Sequence, residues 1–136
     1  QEAGWTLFII TNQPSFAKGK TTLEELVEVH DRVLANLAAA GVDIAESYRC
    51  YHHPSAGCEC RKPSPFFLHE AARTFDLDLA ASWMIGDQDT DMGAGRAAGC
   101  RIALIENPSS AHKRGRIEPD ARFPHLTDAI EHILKS

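Results

Sequence analysis

Cys50, Cys58 and Cys60 fall within eleven residues, Cys50-Tyr51-His52-His53-Pro54-Ser55-Ala56-Gly57-Cys58-Glu59-Cys60, which run straight into Arg61-Lys62-Pro63. Three thiols and an imidazole at this spacing form the donor set of a tetrahedral Cys3His zinc site. His52 is the first choice for the imidazole and His53 the alternative. The basic pair at the exit of the loop points at an anion. Two further groups could act with it: Thr11-Asn12, and the carboxylates Asp87 and Asp91 in Gly86-Asp87-Gln88-Asp89-Thr90-Asp91. A hydroxyl, a fixed cation and a carboxylate pair suit a phosphoryl group with Mg2+. The hydroxyl and nearby N–H groups hold phosphate oxygens, and the lysine offsets developing charge. Magnesium takes carboxylate and phosphate oxygens and keeps several waters. Taken singly, each signal also has an ordinary explanation. Thr-Asn-Gln favours turns, a lone lysine is usually solvated, and Gly-Asp-x-x-x-Asp also suits a capped strand-to-helix turn.

Strands alternating with helices would carry these residues. Trp5 to Ile10 reads as a strand stopped by the polar turn Thr11-Asn12-Gln13-Pro14. Thr22-Leu23-Glu24-Glu25 is a capping box. It opens an amphipathic helix with Leu23, Leu26, Val27, His30, Val33, Leu34, Leu37 and Ala38 on its apolar face. Gly41 closes that helix. Ser47 to Tyr51 is a strand feeding the cysteine loop. Ser64 as N-cap with Pro65 behind it starts a helix that runs to about Phe75. Trp83-Met84-Ile85 reads as a buried strand, Asp89 to Ala98 as a helix closed by Gly99, and Arg101 to Ile105 as another strand. Asn107 to Pro119 is a polar loop, and Leu126 to Leu134 a terminal helix. The alternation predicts an α/β fold, a parallel sheet with helices on both faces. In such sheets ligands bind at the carboxyl ends of strands, where Thr11, Lys62 and Asp87 fall. His30 is read as a core or boundary histidine, and Trp5 and Trp83 as core residues.

Composition narrows the classes. The 136 residues suit one domain, 1–136, with a zinc loop at 50–60. A net charge of −5 argues against a general nucleic-acid surface. No apolar run reaches the roughly 18 residues of a membrane span, and Leu7 to Ile10 is too short for a signal peptide. Three of the four cysteines belong to the cluster, which favours metal over disulfides and fits a reducing, cytoplasmic compartment.

Together, Thr11-Asn12-Gln13, Cys-x-His-His-Pro…Cys-x-Cys-Arg-Lys-Pro and Met84-Ile85-Gly86-Asp87-x-x-x-Asp91-Met92 resemble the haloacid dehalogenase superfamily. Within it the chain is similar to the zinc-containing group of heptose-bisphosphate and histidinol-phosphate phosphatases. The resemblance implies a Rossmann-like sheet and a Mg2+-dependent phosphatase of a small phosphorylated metabolite. It makes Thr11 the phosphate-holding hydroxyl, Lys62 the phosphate-binding cation, Asp87 the Mg2+ ligand and Asp91 the residue that orients them. Asn12, Lys18 and Arg61 would lie near the substrate, and Cys50, His52, Cys58 and Cys60 would hold a structural Zn2+. Lys18 before Gly19, with Pro54 and the His52-His53 pair, leans toward a heptose bisphosphate. The five-residue gap between His52 and Cys58 leans toward histidinol phosphate.

The group's Asp-x-Asp-Gly-Thr motif does not occur in these 136 residues. Its first Asp is the nucleophile that forms an aspartyl-phosphate, and its second is the acid and base. Gln1-Glu2-Ala3-Gly4-Trp5 reads as the end of a helix entering the second strand of the family sheet. The resemblance therefore implies an N-terminally incomplete domain that lacks its central strand, the one between the Trp5–Ile10 and Trp83–Ile85 strands. Three expectations follow. The chain alone is inactive, because covalent catalysis needs its nucleophile. Two strand edges lie open, so this chain associates where the full-length form is a monomer. Its partner is a small phosphorylated metabolite, with neither nucleic acid nor membrane. A zinc-braced pseudoenzyme or binding module is the competing reading. A phosphoryl-receiver domain would need its hydroxyl and carboxylates in the opposite chain order.

Overall fold

The computed structural model describes residues 4–14, 17–53 and 55–135. The helix-end reading of Gln1 to Ala3, and Pro54 of the motifs above, lie outside them. The chain divides into two compact units, residues 1–61 and 62–136.

The first unit holds strand β1 (Leu7–Asn12), helix α1 (Leu23–Ala39) and strand β2 (Ile44–Cys50). β1 and β2 are parallel, with Thr11 opposite Arg49 and Asn12 opposite Cys50. β1 runs two residues further than the sequence suggests, so Thr11 and Asn12 lie in the strand rather than the turn. Thr22 caps α1 by accepting from Glu25 N at 3.1 Å. The reciprocal arm of the expected capping box is diverted: Glu25 Oε2 accepts from Thr21 Oγ1 at 2.8 Å. Gly41, at φ 84°, follows the helix in the left-handed region, as expected. The apolar face of α1 is narrower than its pattern suggests. Leu26, Leu34 and Leu37 are half-buried and His30 is buried, but Leu23, Val27 and Val33 are exposed.

His30 Nε2 lies 2.7 Å from Ser47 Oγ on β2, which bears out its reading as a core histidine. Burial, and then the Arg49 guanidinium, push its pKa below the ordinary value, against a smaller opposing pull from Asp31. A histidine held neutral costs stability only where the unfolded chain would be protonated. The contribution is thus fully present above about pH 6.5 and is lost as pH falls from there through the depressed folded value. Urea midpoints measured across that window should fall more steeply with acid in the natural chain than in His30→Asn. Parallel curves would remove His30 as the cause.

The second unit holds α2 (Phe66–Phe75), β3 (Trp83–Gly86), α3 (Asp89–Ala98), β4 (Arg101–Ile105), β5 (Ala121–Phe123) and α4 (Leu126–Lys135). Short 3-10 turns occupy Leu79–Ala81 and Pro108–Lys113. The three strands form a parallel sheet in the order β3-β4-β5. Met84, Met92, Ala94, Ile102, Ala103, Leu104, Ala129 and Ile133 make its core. α3 lies so close to this sheet that a Cβ on Gly95 would stand 2.6 Å from Ile102 Cγ2 and from Met84 Cβ.

Alternating helices and parallel strands give the expected α/β class, with the pairing split into two sheets, β1-β2 and β3-β4-β5. Among the described residues β1 pairs only with β2, and β3 only with β4.

Four expectations are corrected. α2 begins at Phe66 with Pro65 as its N-cap, and Ser64 Oγ accepts from Phe66 N at 3.3 Å. β3 is only half-buried apart from Met84. Trp5 and Trp83 are half-buried rather than core; Trp83 has the Arg101 guanidinium 5.8 Å from its ring centre and His132 at its edge. The polar stretch after Asn107 contains a six-residue 3-10 segment and the strand β5.

Candidate active site and metal loop

In the first unit β2 ends at Cys50, which is fully buried, and the loop folds back to bring Cys58 and Cys60 to it. Cys50 Sγ lies 3.0 Å from Cys60 Sγ and 3.6 Å from Cys58 Sγ. His52 Nδ1 lies 3.5 Å from Cys50 Sγ and 3.3 Å from Cys60 Sγ. All four donor atoms lie within 4.8 Å of one another. Zn–S bonds of about 2.3 Å set tetrahedral corners about 3.8 Å apart, so the donors have the size and chemistry of a zinc cage. His53 faces elsewhere: its Nδ1 meets Ser55 Oγ at 2.7 Å and accepts from Ser55 N at 3.1 Å. The cluster therefore contains His52. Burial, followed by the neighbouring sulfurs of Cys50 and Cys58, raises the Cys60 thiol to about 12. Thiols so crowded need a cation to become thiolates together.

Thr11 and Asn12 are half-buried at the carboxyl end of β1, and Gln13 N donates to Cys50 O at 2.6 Å. The segment after β1 is thus tied to Cys50, the first donor of the Cys/His cluster. Lys18 is exposed. Arg61 carries a buried Nη1, and Gln13 a buried Oε1, without a hydrogen-bond partner among the described residues. A buried guanidinium N–H without a protein partner suits an anionic ligand. Arg49 Nη1 and Tyr51 Oη share that condition, and the Arg49 guanidinium lies 5.7 Å from the Tyr51 ring centre. Sequence reading passed over Arg49 and Tyr51 because neither stands in a motif.

In the second unit β3 delivers Asp87 to the carboxyl end of the sheet, and the first turn of α3 supplies Asp91. Asp91 is buried and organises the site. Its Oδ1 accepts from Lys62 Nζ at 2.5 Å. Its Oδ2 accepts from Asp87 N and Gln88 N, both at 3.2 Å. Gly86 permits this approach: a Cβ there would fall 2.3 Å from Asp91 Cβ. Lys62 and the Asp87–Asp91 pair, read as two separate motifs in the sequence, thus form one constellation. Asp87 Oδ2 accepts from the buried Ser110 Oγ at 2.7 Å, while no hydrogen bond reaches Oδ1 among the described residues. Asp87 also lines a cavity of about 290 Å³ with Ile85, Gly86, Ile105, Asn107 and Leu126. A hard carboxylate oxygen left over at a strand end fits Mg2+. Ser110 went unrecognised in the sequence, since it sits 23 residues from its partner in a stretch read as loop.

Comparisons with known proteins show the family. Residues 59–129 match the HAD-hydrolase-like family. The D-glycero-beta-D-manno-heptose-1,7-bisphosphate 7-phosphatase of Pseudomonas aeruginosa is 33% identical over 119 residues, covering 88% of this chain and 67% of the relative. The enzyme of the same description from Yersinia pestis is 40% identical over 105 residues, covering 72% of this chain and 56% of the relative. The crystal structure of D,D-heptose 1.7-bisphosphate phosphatase from B. bronchiseptica, complexed with magnesium and phosphate, superposes with a TM-score of 0.87 at 31% identity. That match covers 98% of this chain and 76% of the other. The chain spans 56 to 67% of the length of these two curated relatives. With a domain match over residues 59–129, relatives of this identity and a shared α/β fold, the chain belongs to the HAD-like hydrolase family.

Proposed function

We propose that this chain supplies the phosphate- and magnesium-binding part of a phosphomonoester hydrolase acting on a small sugar phosphate, with a heptose bisphosphate the leading substrate. The observation that carries this reading is the Lys62–Asp91–Asp87 constellation: one buried carboxylate holds the lysine ammonium and braces the backbone of Asp87. In this reading Lys62 neutralises phosphate oxygens, and Thr11 and Asn12 offer phosphate-holding groups at the end of β1. Arg61 and Lys18 meet the rest of the substrate. Asp87 binds Mg2+, which when bound would polarise the phosphoryl group, and Asp91 positions both neighbours. Cys50, His52, Cys58 and Cys60 hold a structural Zn2+ that shapes the loop leading to Arg61. All four cysteines are free thiols, which suits a reducing, cytoplasmic compartment. No helix among the described residues is long and apolar enough to cross a membrane.

Turnover through an aspartyl-phosphate requires a nucleophile these 136 residues do not place in an Asp-x-Asp-Gly-Thr motif. The competing reading is a zinc-braced module that binds phosphorylated ligands without hydrolysing them. Calorimetry and a phosphate-release assay with heptose 1,7-bisphosphate and histidinol phosphate test both. This chain should bind the heptose bisphosphate in the presence of Mg2+, lose that binding in Lys62→Met, and release no phosphate. Tighter binding of histidinol phosphate would move the substrate to that alternative, and substantial Mg2+-dependent release would overturn the nucleophile assignment. Intact mass and N-terminal sequencing of the natural protein separate the remaining two. An upstream Asp-x-Asp favours the hydrolase; a natural start at Gln1 favours the binding module.

A further inference from the structure

Resting on the reading of Asp87 as a Mg2+ ligand, we propose that Ser110 is a positioning residue for that site, setting the orientation of the Asp87 carboxylate through one hydrogen bond.

The hydroxyl has one proton to give and two acceptors nearby, Asp87 Oδ2 at 2.7 Å and Asn107 O at 3.3 Å. The shorter contact, to a charged acceptor, takes it. Ser110 is 5% exposed. The bond therefore forms away from bulk water, where competition is weakest.

The loop that carries Ser110 is built to hold it still. Asn107 caps the 3-10 segment, with Oδ1 accepting from Ser109 N at 3.1 Å and Ser109 Oγ at 3.0 Å. Asn107 O in turn accepts from Ser110 N at 3.1 Å and from Arg114 Nη1 at 2.6 Å. Beyond it, Gly115 N and Arg116 N donate to the Asp89 carboxylate in the first turn of α3. The segment is thus fastened to its own start and to the helix that follows Asp87.

The consequence for Asp87 is a carboxylate set from two sides. Asp91 fixes its backbone N–H, and Ser110 fixes Oδ2, leaving Oδ1 as the free donor. Hydrogen-bonded carboxylate ligands lose less freedom on binding metal, and removing such partners typically costs 10- to 100-fold in affinity.

Mn2+ titration of this chain, read by the EPR signal of free Mn2+ with Mg2+ as competitor, tests the proposal. Asp87→Asn should abolish site binding. Ser110→Ala should weaken both ions by about 10-fold or more, with circular dichroism unchanged. Ser110→Thr, which keeps the hydroxyl, should restore affinity. If Asp87→Asn abolishes binding while Ser110→Ala leaves it unchanged, the role of Ser110 is overturned and the metal reading stands. If Asp87→Asn changes nothing, the metal reading itself fails and the proposal with it. If Ser110→Thr is as weak as Ser110→Ala, the effect is packing and the hydrogen bond is not its cause.

Discussion

Zinc should copurify with this chain at about one equivalent, and stripping it should unfold the loop at 50–60. Cys58→Ser and Cys60→Ser should each lose the metal and lower the thermal midpoint by on the order of 10 °C, while Cys100→Ala keeps the zinc. The size of the effect follows from how little else holds the loop. His52, His53, Ser55, Ala56, Gly57 and Glu59 are exposed, and Cys50 and His30 are the only buried residues among those described in the first unit. A unit with so small a core depends on a cross-link, and closed four-coordinate zinc contributes directly to folding. Cys100 is buried far along the chain, its thiol pushed up by burial, and stands outside the cluster. Less than about half an equivalent of zinc, or a metal-free loop as resistant to proteolysis as the loaded one, would defeat the assignment.

The Cys/His cluster was legible in the sequence because donor sets within a short loop are coded by spacing. Only the choice between His52 and His53 needed coordinates, which bring His52 into the cluster and turn His53 Nδ1 to Ser55. The element pattern was likewise legible where a local signal closes each end, as at Asp89–Ala98 with Gly99, and at Arg101–Ile105. It failed where tertiary context decides. β5 is three residues long and exists by pairing with β4, which no period-two run in Ala121-Arg122-Phe123 could announce. The exposed Leu23, Val27 and Val33 follow the helical period as faithfully as Leu26 and Leu34 do. Periodicity reports a face and says nothing about how much of it finds cover. In the site, Asp87 and Lys62 were readable from motifs, but their union through Asp91 and the hydroxyl of Ser110 depends on contacts 29 and 23 residues apart. Those separations are set by the chain's path over the sheet.

Asp91→Ala should cost about 3–5 kcal/mol, the range for breaking a buried ion pair from one side. Asp91→Asn should cost clearly less. Both partners are nearly enclosed, with side chains 11% and 8% exposed for Lys62 and Asp91, so the lysine's charge is poorly screened once its carboxylate is gone. The alanine variant also deprives Asp87 N and Gln88 N of the oxygen that receives them, and orphaned buried N–H groups add their own penalty. Asparagine keeps an oxygen for those donors while giving up the charge, so the gap between the two variants isolates the backbone contribution. Urea unfolding of the two single variants, Lys62→Met and the Lys62→Met/Asp91→Asn pair measures this directly. The double variant should be less destabilised than the sum of its singles, because the second change removes a charge the first left behind. Additive losses, or an Asp91→Ala cost below about 1 kcal/mol, would mean that this carboxylate is not the joint between Lys62 and Asp87. On the proposed function, in which Lys62 meets the anion and Asp91 positions it, the same variants should weaken phosphate binding in the order of their structural damage.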